Sequence, residues 1–253
     1  MPHAITEWLK RSLRPTLFRM IRPGKTQYEC PICGYVGPFK DKRVSSSPDI
    51  VRPDSKCVGC GAAERHRMLR LVIRDVLQPW ATPQKSILHI APEECLKDWL
   101  SGLFGVYHTA DLFMKGVDFQ EDIQKMSFPD ASYDCVFVSR VLTIPPDLDG
   151  SLREMRRILK PGGMLIVAET YSHEKTIEFG EMRNYRSREI GIDLIEQFQR
   201  HFRKVVEFRS GAYPEKFQLT NKILKDGQPC DTYPESIRVP GQGFMDLVLA
   251  CHV

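Results

Sequence analysis

Four thiols carry the most specific chemistry in this chain. Cys30-Pro-Ile-Cys33 and Cys57-Val-Gly-Cys60 are two C-x2-C pairs with 23 residues between them. Two such knuckles supply four thiolates to one tetrahedral ion, which is what a structural zinc site demands. Gly34 and Gly61, each directly after a knuckle, suit the tight turns that such ligand pairs need. A pair of disulfides is the competing reading. No signal peptide precedes the cysteines, and Cys95, Cys135 and Cys251 fall where reduced, buried thiols are expected, so a reducing, cytoplasmic setting is the expectation. Because binding a metal in a small module also folds it, residues 26–62 are expected to depend on the ion.

The elements that must position further chemistry are clearest between Ser127 and Glu169. Tyr133 to Ser139 (YDCVFVS) is a near-continuous apolar run of strand length, the pattern of a parallel strand buried on both faces. Leu152, Met155, Ile158 and Leu159 recur at helical spacing with Arg153, Glu154, Arg156 and Arg157 on the other face. Pro161-Gly162-Gly163 is read as the stop of that helix, and Met164 to Ala168 as the start of a second buried strand. The connection is a right-handed βαβ unit by default.

FPDASYD followed by an apolar strand and then LREMRRILKPGGMLIV resembles the central strands of class I S-adenosylmethionine-dependent methyltransferases. The resemblance covers roughly residues 65–253. A second stretch, CGAAERHR from Cys60 to Arg67, resembles the junction of one group in that superfamily, which carries an N-terminal four-cysteine zinc ribbon and an HIAPE-type first loop. The fold implied is α/β, a Rossmann-like seven-stranded sheet preceded by a small zinc-ribbon module. The expected division is a basic amphipathic helical segment over 1–25, the ribbon over 26–62 and the methyltransferase domain over 63–253. Residues 210–241 are read as a substrate lid or insertion.

The resemblance also implies a cofactor site for S-adenosylmethionine. The first strand is Ser86 to Ala91, and its loop has no glycine, whereas the usual loop is glycine-rich so that backbone can approach the cofactor. By register, His89 stands where an acidic residue usually sits, Ala91 and Glu93 where glycines sit, with Pro92 between them. Asp111, with Leu112 after it, stands where the ribose hydroxyls are bound. Asp122 is placed to reach the adenine amino group, with Ile123 packing on the ring and Glu121 as a competing register. Ser139 and Arg140 complete the crevice at the carboxyl ends of the strands. A decayed cofactor site is the alternative.

Methyl transfer is an in-line attack on a sulfonium methyl, so the protein aligns the acceptor and, for a hydroxyl, removes its proton. His173 is the candidate base, and Glu169, Tyr171, Arg183 and Tyr185 are candidates for holding the acceptor. Arg65 and His66 either face the cleft or bind the zinc module to the main domain. Relatives often show a Glu-His pair after the fourth strand, where this chain has Thr143-Ile144, and an Asp-His pair later, where it has Arg183-Asn184.

Charge is uneven: residues 1–70 carry 14 Lys and Arg against 6 Asp and Glu, leaving 22 against 26 for the remainder. Within the basic front end, Ile5, Trp8, Leu9, Leu13, Leu17 and Ile21 lie on something like one face, with Pro15 as a break. Such a segment packs on its own protein, contacts nucleic acid or lies on an anionic membrane. No apolar run reaches membrane-spanning length. Three functional classes follow: a methyltransferase for a small molecule, sugar or glycan intermediate; an RNA methyltransferase docking through its ribbon; and an inactive scaffold. Oligomeric state is not legible.

Overall fold

The computed structural model describes residues 13–44, 47–171, 173–229 and 245–253. Positions 1–12 of the N-terminal segment and 230–241 of the expected lid lie outside the described residues. The Cα framework divides into two compact units, one within Met1–Leu71 and Ser210–Gly243, the other within Val72–Arg209 and Phe244–Val253.

The second unit is built on strands β1 (Ser86–Ile90), β2 (Val106–Asp111), β3 (Phe119–Gln120), β4 (Tyr133–Ser139), β5 (Leu159–Tyr171), β6 (Lys204–Phe208) and β7 (Met245–His252). Their order across the sheet is β6-β7-β5-β4-β1-β2-β3. All pairs are parallel except those made by β7, which runs antiparallel to both β5 and β6. This is the Rossmann-like methyltransferase sheet expected from the sequence. Every residue of β1 is buried, as an apolar strand covered on two faces requires. Helix α3 (Leu148–Arg157) and helix α4 (Leu194–His201) cover one face through Leu148, Leu152, Met155, Leu194 and Phe198. The Asp147 carboxylate caps α3 by accepting the Gly150 N–H at 2.8 Å.

Three element boundaries depart from the sequence reading. Helix α3 ends at Arg157 and β5 already begins at Leu159, because Pro161-Gly162-Gly163 is absorbed as an irregularity between the Tyr133–Leu159 and Cys135–Met164 pairs, with Gly162 at φ 73°. Ile190 to Phe202 reads as a helix in the sequence, but α4 starts only at Leu194, because the residues before it pair with the segment after β5: Asp193 Oδ1 accepts from the Thr176 N–H and hydroxyl, both at 2.8 Å. The polar stretch after β5 forms a β-hairpin of Ile177–Arg183 and Arg186–Glu189.

The first unit holds the cysteines and more of the chain than its N-terminal third. Helix α1 (Glu64–Leu77) contains the division at Leu71, so the boundary lies inside a helix and not before it. Residues expected to form a lid on the sheet domain belong with the cysteine unit, because Leu224–Lys225 adds to the strand Ser47–Lys56, opposite its partner Lys40–Val44. The fully buried Arg67 side chain joins these pieces. It donates to the carbonyls of Ser55 (3.0 Å), Ala62 (2.8 Å), Phe217 (2.9 Å) and Gln218, and its guanidinium lies 4.4 Å from the Phe39 ring centroid. Glu64, also buried, takes Arg52 at 2.7 Å and Ser55 Oγ at 3.1 Å. The outer residues of the ERHR motif therefore hold this unit together.

In the sheet unit, Asp134 ties the beginnings of three strands. Its carboxylate accepts the Ser86 N–H (3.0 Å) and hydroxyl (2.9 Å) from β1, Lys160 Nζ (2.7 Å) from β5 and Lys85 Nζ (3.3 Å). Burial opposes its ionisation, but these donors outweigh that and hold the carboxyl well below the usual carboxylate range. The folded-state pKa is depressed, so this stabilisation is present at neutral pH and is lost as pH falls below about 4. Asp134→Asn is expected to cost about 1–2 kcal/mol at pH 7 and to flatten the acid limb of stability, read from urea unfolding across pH.

Candidate cofactor site and metal centre

The order of strands reverses direction at β1 and β4, the switch point where open α/β sheets place ligands beyond their carboxyl ends. Ala91 follows β1 with φ 50°, a left-handed conformation that glycine normally supplies. Its N–H still reaches the sheet, bonding Ala110 O at 2.8 Å. The chain then turns through Pro92 to Glu93, the N-cap of helix α2 (Glu94–Ser101). Ser139 Oγ, at the end of β4, donates to Glu93 Oε1 at 3.3 Å, so the loop is bridged across the switch point.

His89 does not line this crevice. It is fully buried, with its ring 4.6 Å from that of Phe137. Nδ1 bonds the Tyr107 hydroxyl at 2.9 Å and Nε2 accepts the Glu93 N–H at 3.4 Å. The imidazole thus shapes the loop from beneath, in place of the acidic residue usual at this register.

At the end of β2, Asp111 Oδ1 accepts the N–H groups of Phe113 (2.8 Å) and Met114 (2.7 Å). Oδ2 has no hydrogen bond among the described residues, which leaves it available to a hydroxyl pair. Leu112, Phe113 and Met114 expose apolar side chains beside it. Of the two competing carboxylates beyond β3, Glu121 is buried and committed to the Ser127 N–H (3.0 Å) and hydroxyl. Asp122 is half-buried and turns its Oδ1 to the Gln124 N–H at 2.9 Å, beside the buried Ile123. These positions fit a nucleoside cofactor: a glycine-like turn, a helix N-terminus, and carboxylates at successive strand ends.

The far side of the crevice is held by groups that sequence reasoning missed or misplaced. Arg140, at φ 59°, pairs with Asp246 of β7 at 3.0 Å. Glu169 is 3% exposed, and its Oε1 takes the Leu142 N–H at 2.8 Å. Burial pushes its carboxyl up to about 7, against Arg140 and the backbone donors of Leu142, Val141 and Thr170. Arg188, 1% exposed, donates to the carbonyls of Leu142 (2.8 Å), Pro145 (2.6 Å) and Pro146 (2.8 Å) and pairs with Glu178 at 2.6 Å. It thereby fixes the loop containing Thr143-Ile144. A single arginine after a polar stretch offers no sequence signal for such a role.

The remaining candidates scatter. His173 follows β5, its carbonyl accepting the Ile192 N–H at 2.9 Å. Tyr171 bonds Arg209, whose guanidinium also stacks 5.2 Å from its ring centroid. Arg183 and Tyr185 lie at the hairpin tip, the first paired with Glu181 at 3.0 Å and the second 88% exposed. Arg65 and His66 belong to the first unit, where His66 Nδ1 accepts the Ala63 N–H at 3.2 Å.

In that unit the four cysteine Sγ atoms all lie within 4.8 Å of one another, with Cys30–Cys60 and Cys33–Cys57 each at 3.6 Å. A tetrahedral ion with bonds of about 2.3 Å to sulfur requires edges of about 3.8 Å. The knuckles are built alike: Gly34 N–H bonds Cys30 O and Gly61 N–H bonds Cys57 O, both at 2.9 Å, with the glycines at φ 71° and 75°. The donor set and its spacing fit zinc.

Residues 106–167 match the family model described as a methyltransferase domain. That span is β2 to β5, and the expectation of a methyltransferase domain is met there. Among curated proteins, the C-methyltransferase UbiE of ubiquinone and menaquinone biosynthesis from Hahella chejuensis is 46% identical over 50 residues, 20% of this chain and 20% of the relative. The sterol 24-C-methyltransferase ERG6B of Gibberella zeae is 36% identical over 75 residues, 29% of this chain and 20% of that protein. These alignments span about a fifth of the length of either relative. A hybrid polyketide–nonribosomal peptide synthetase of Macrophomina phaseolina is 41% identical over 59 residues, 23% of this chain and 2% of the synthetase. Similar solved structures include an S-adenosylmethionine-dependent methyltransferase from Mesorhizobium loti, 14% identical with a TM-score of 0.48, over 74% of this chain and 98% of that one.

The buried His89 makes a pH-dependent contribution. Burial lowers its pKa to about 4, with Glu93 opposing. Between about 6.5 and 4 the unfolded chain binds the proton that the folded one refuses, so stability falls as pH drops through that window. His89→Gln is expected to remove on the order of 2 kcal/mol of this pH dependence, read as the difference between wild-type and variant unfolding curves at pH 7 and pH 4.5.

Proposed function

We propose that this protein is an S-adenosylmethionine-dependent methyltransferase acting on a small molecule, sugar or glycan intermediate. The observation that carries the reading is the set of groups at the carboxyl ends of β1, β2 and β4. There the left-handed Ala91, the Glu93–Ser139 bridge and the half-committed Asp111 carboxylate stand around the switch point. The match over residues 106–167 supports the same reading. When bound, the cofactor supplies an electrophilic methyl group. The protein's part is to hold the ribose through Asp111, pack the adenine beside Ile123 and exclude water around the acceptor. His173 is the proposed proton acceptor at the acceptor edge.

Isothermal titration with S-adenosylmethionine and S-adenosylhomocysteine tests this. Binding of either is expected, and Asp111→Ala should weaken it by about tenfold or more through the lost hydroxyl hydrogen bonds. Absence of binding to both would overturn the enzyme reading in favour of a scaffold. The RNA reading instead requires RNA affinity that falls steeply with salt.

The cysteine cluster is proposed to hold one zinc ion with a structural role. Elemental analysis should return one zinc per chain, and Cys33→Ser should lower that content. A strong chelator should unfold the cysteine unit, seen as proteolytic cleavage within residues 26–62, while the sheet unit resists. Substoichiometric metal in the purified wild type would count against the site.

A further inference from the structure

Residues 13–21 are helical, and they turn their large apolar side chains away from the protein. Leu13, Leu17, Met20 and Ile21 recur at the spacing of one helix face, yet they are 63%, 60%, 71% and 61% exposed. The half-buried residues of this helix are Pro15 and Phe18, on the other side, with Lys40 Nζ 5.8 Å from the Phe18 ring centroid. The fold therefore uses the weaker face for packing and leaves the stronger one outside.

The charged residues of this segment have a single sign. From Trp8 to Tyr28 the sequence carries Lys10, Arg11, Arg14, Arg19, Arg22 and Lys25 and no Asp or Glu. Arg14, Arg19 and Arg22 are exposed. Lys25 is instead tied down, at 2.6 Å from Asp41 and 2.8 Å from Asp54, which anchors the chain just after the helix to the first unit. An apolar stripe rimmed by cations fits a partner that is apolar within and anionic at its surface, which describes a bilayer interface containing acidic lipid. A second copy of this chain would bring the same positive charge against itself.

We propose that this helix docks the protein on an anionic membrane surface, with Leu13, Leu17, Met20 and Ile21 entering the headgroup boundary and the arginines at headgroup level. The proposed contact runs along the bilayer surface; no helix among the described residues is long and apolar enough to cross a membrane.

Flotation of the full chain with vesicles tests the proposal. Binding is expected to phosphatidylserine–phosphatidylcholine vesicles and not to pure phosphatidylcholine, with loss at high salt. Leu17→Glu combined with Met20→Glu should lower partitioning about tenfold or more, and Arg14→Gln with Arg19→Gln should lower it severalfold. Each position is solvent-exposed, so circular dichroism and zinc content should be unchanged in both variants. Equal binding to neutral vesicles, no binding to acidic ones, or undiminished binding by the Leu17/Met20 variant would overturn it. So would a wild-type dimer in sedimentation that this variant dissociates, since a second copy would then be the occupant.

Discussion

The Asp134 carboxylate is the constraint on which the sheet unit depends. A parallel sheet has no tight hairpins to set its register, so neighbouring strands must be aligned by contacts between segments far apart in sequence. Asp134 does this by binding the first residue of β1 and the beginning of β5 while itself belonging to β4. From there pairing runs residue for residue, Ile87 with Cys135 through Ile90 with Val138 and Cys135 with Met164 through Ser139 with Ala168. Fixing one end of such a ladder decides which side chains stand at the other. The irregularity at Pro161-Gly162-Gly163 takes up the excess of chain before the regular pairing starts and leaves the carboxyl ends undisturbed.

At those ends the backbone does unusual things in a supported way. Ala91 and Arg140 both hold positive φ, a conformation that costs a non-glycine residue on the order of 1 kcal/mol. Both residues follow adjacent strands directly, and both keep their N–H groups bonded to the next strand over, Ala91 to Ala110 O and Arg140 to Ala168 O. The sheet thus continues for one more bond on each side of the switch point while the chain turns away. A loop without glycine is workable because its turn is held from outside by the ladder and from beneath by His89.

The parts legible in the sequence were those with a strong local period. β4 and α3 follow from apolar runs and spacing, and the four cysteines declare their ligand geometry through two short motifs. The hairpin of 177–189 was not legible, since its residues are mostly exposed and no buried face imposes an alternation. The placement of residues 210–229 was hidden for a different reason: Leu224 pairs with Val51, and no local pattern announces a partner so distant in sequence. Register arguments place His89, Ala91, Glu93 and Asp111 at or just beyond the carboxyl ends of β1 and β2, but register does not report depth. His89 is fully buried, and Glu169, a candidate for holding the acceptor, is 3% exposed and bonded to the Leu142 N–H.

Arg188 fixes the loop that follows β4. Its guanidinium is buried among the carbonyls of Leu142, Pro145 and Pro146, with Glu178 as its charge partner. Removing it would take the donor from the two buried carbonyls of Leu142 and Pro145, so the loop after β4 is held in part through its backbone. The same arginine stands on the strand Arg186–Glu189, while the Thr143 carbonyl accepts the Ser187 N–H at 2.8 Å, so hairpin and loop form one continuous piece. Leu142 adds a second anchor, its side chain fully buried in the core cluster. Thr143 and Ile144, which lie between these anchors, carry more exposed side chains than Leu142 and Pro145, so their substitution leaves the loop in place as long as the Arg188 donors remain.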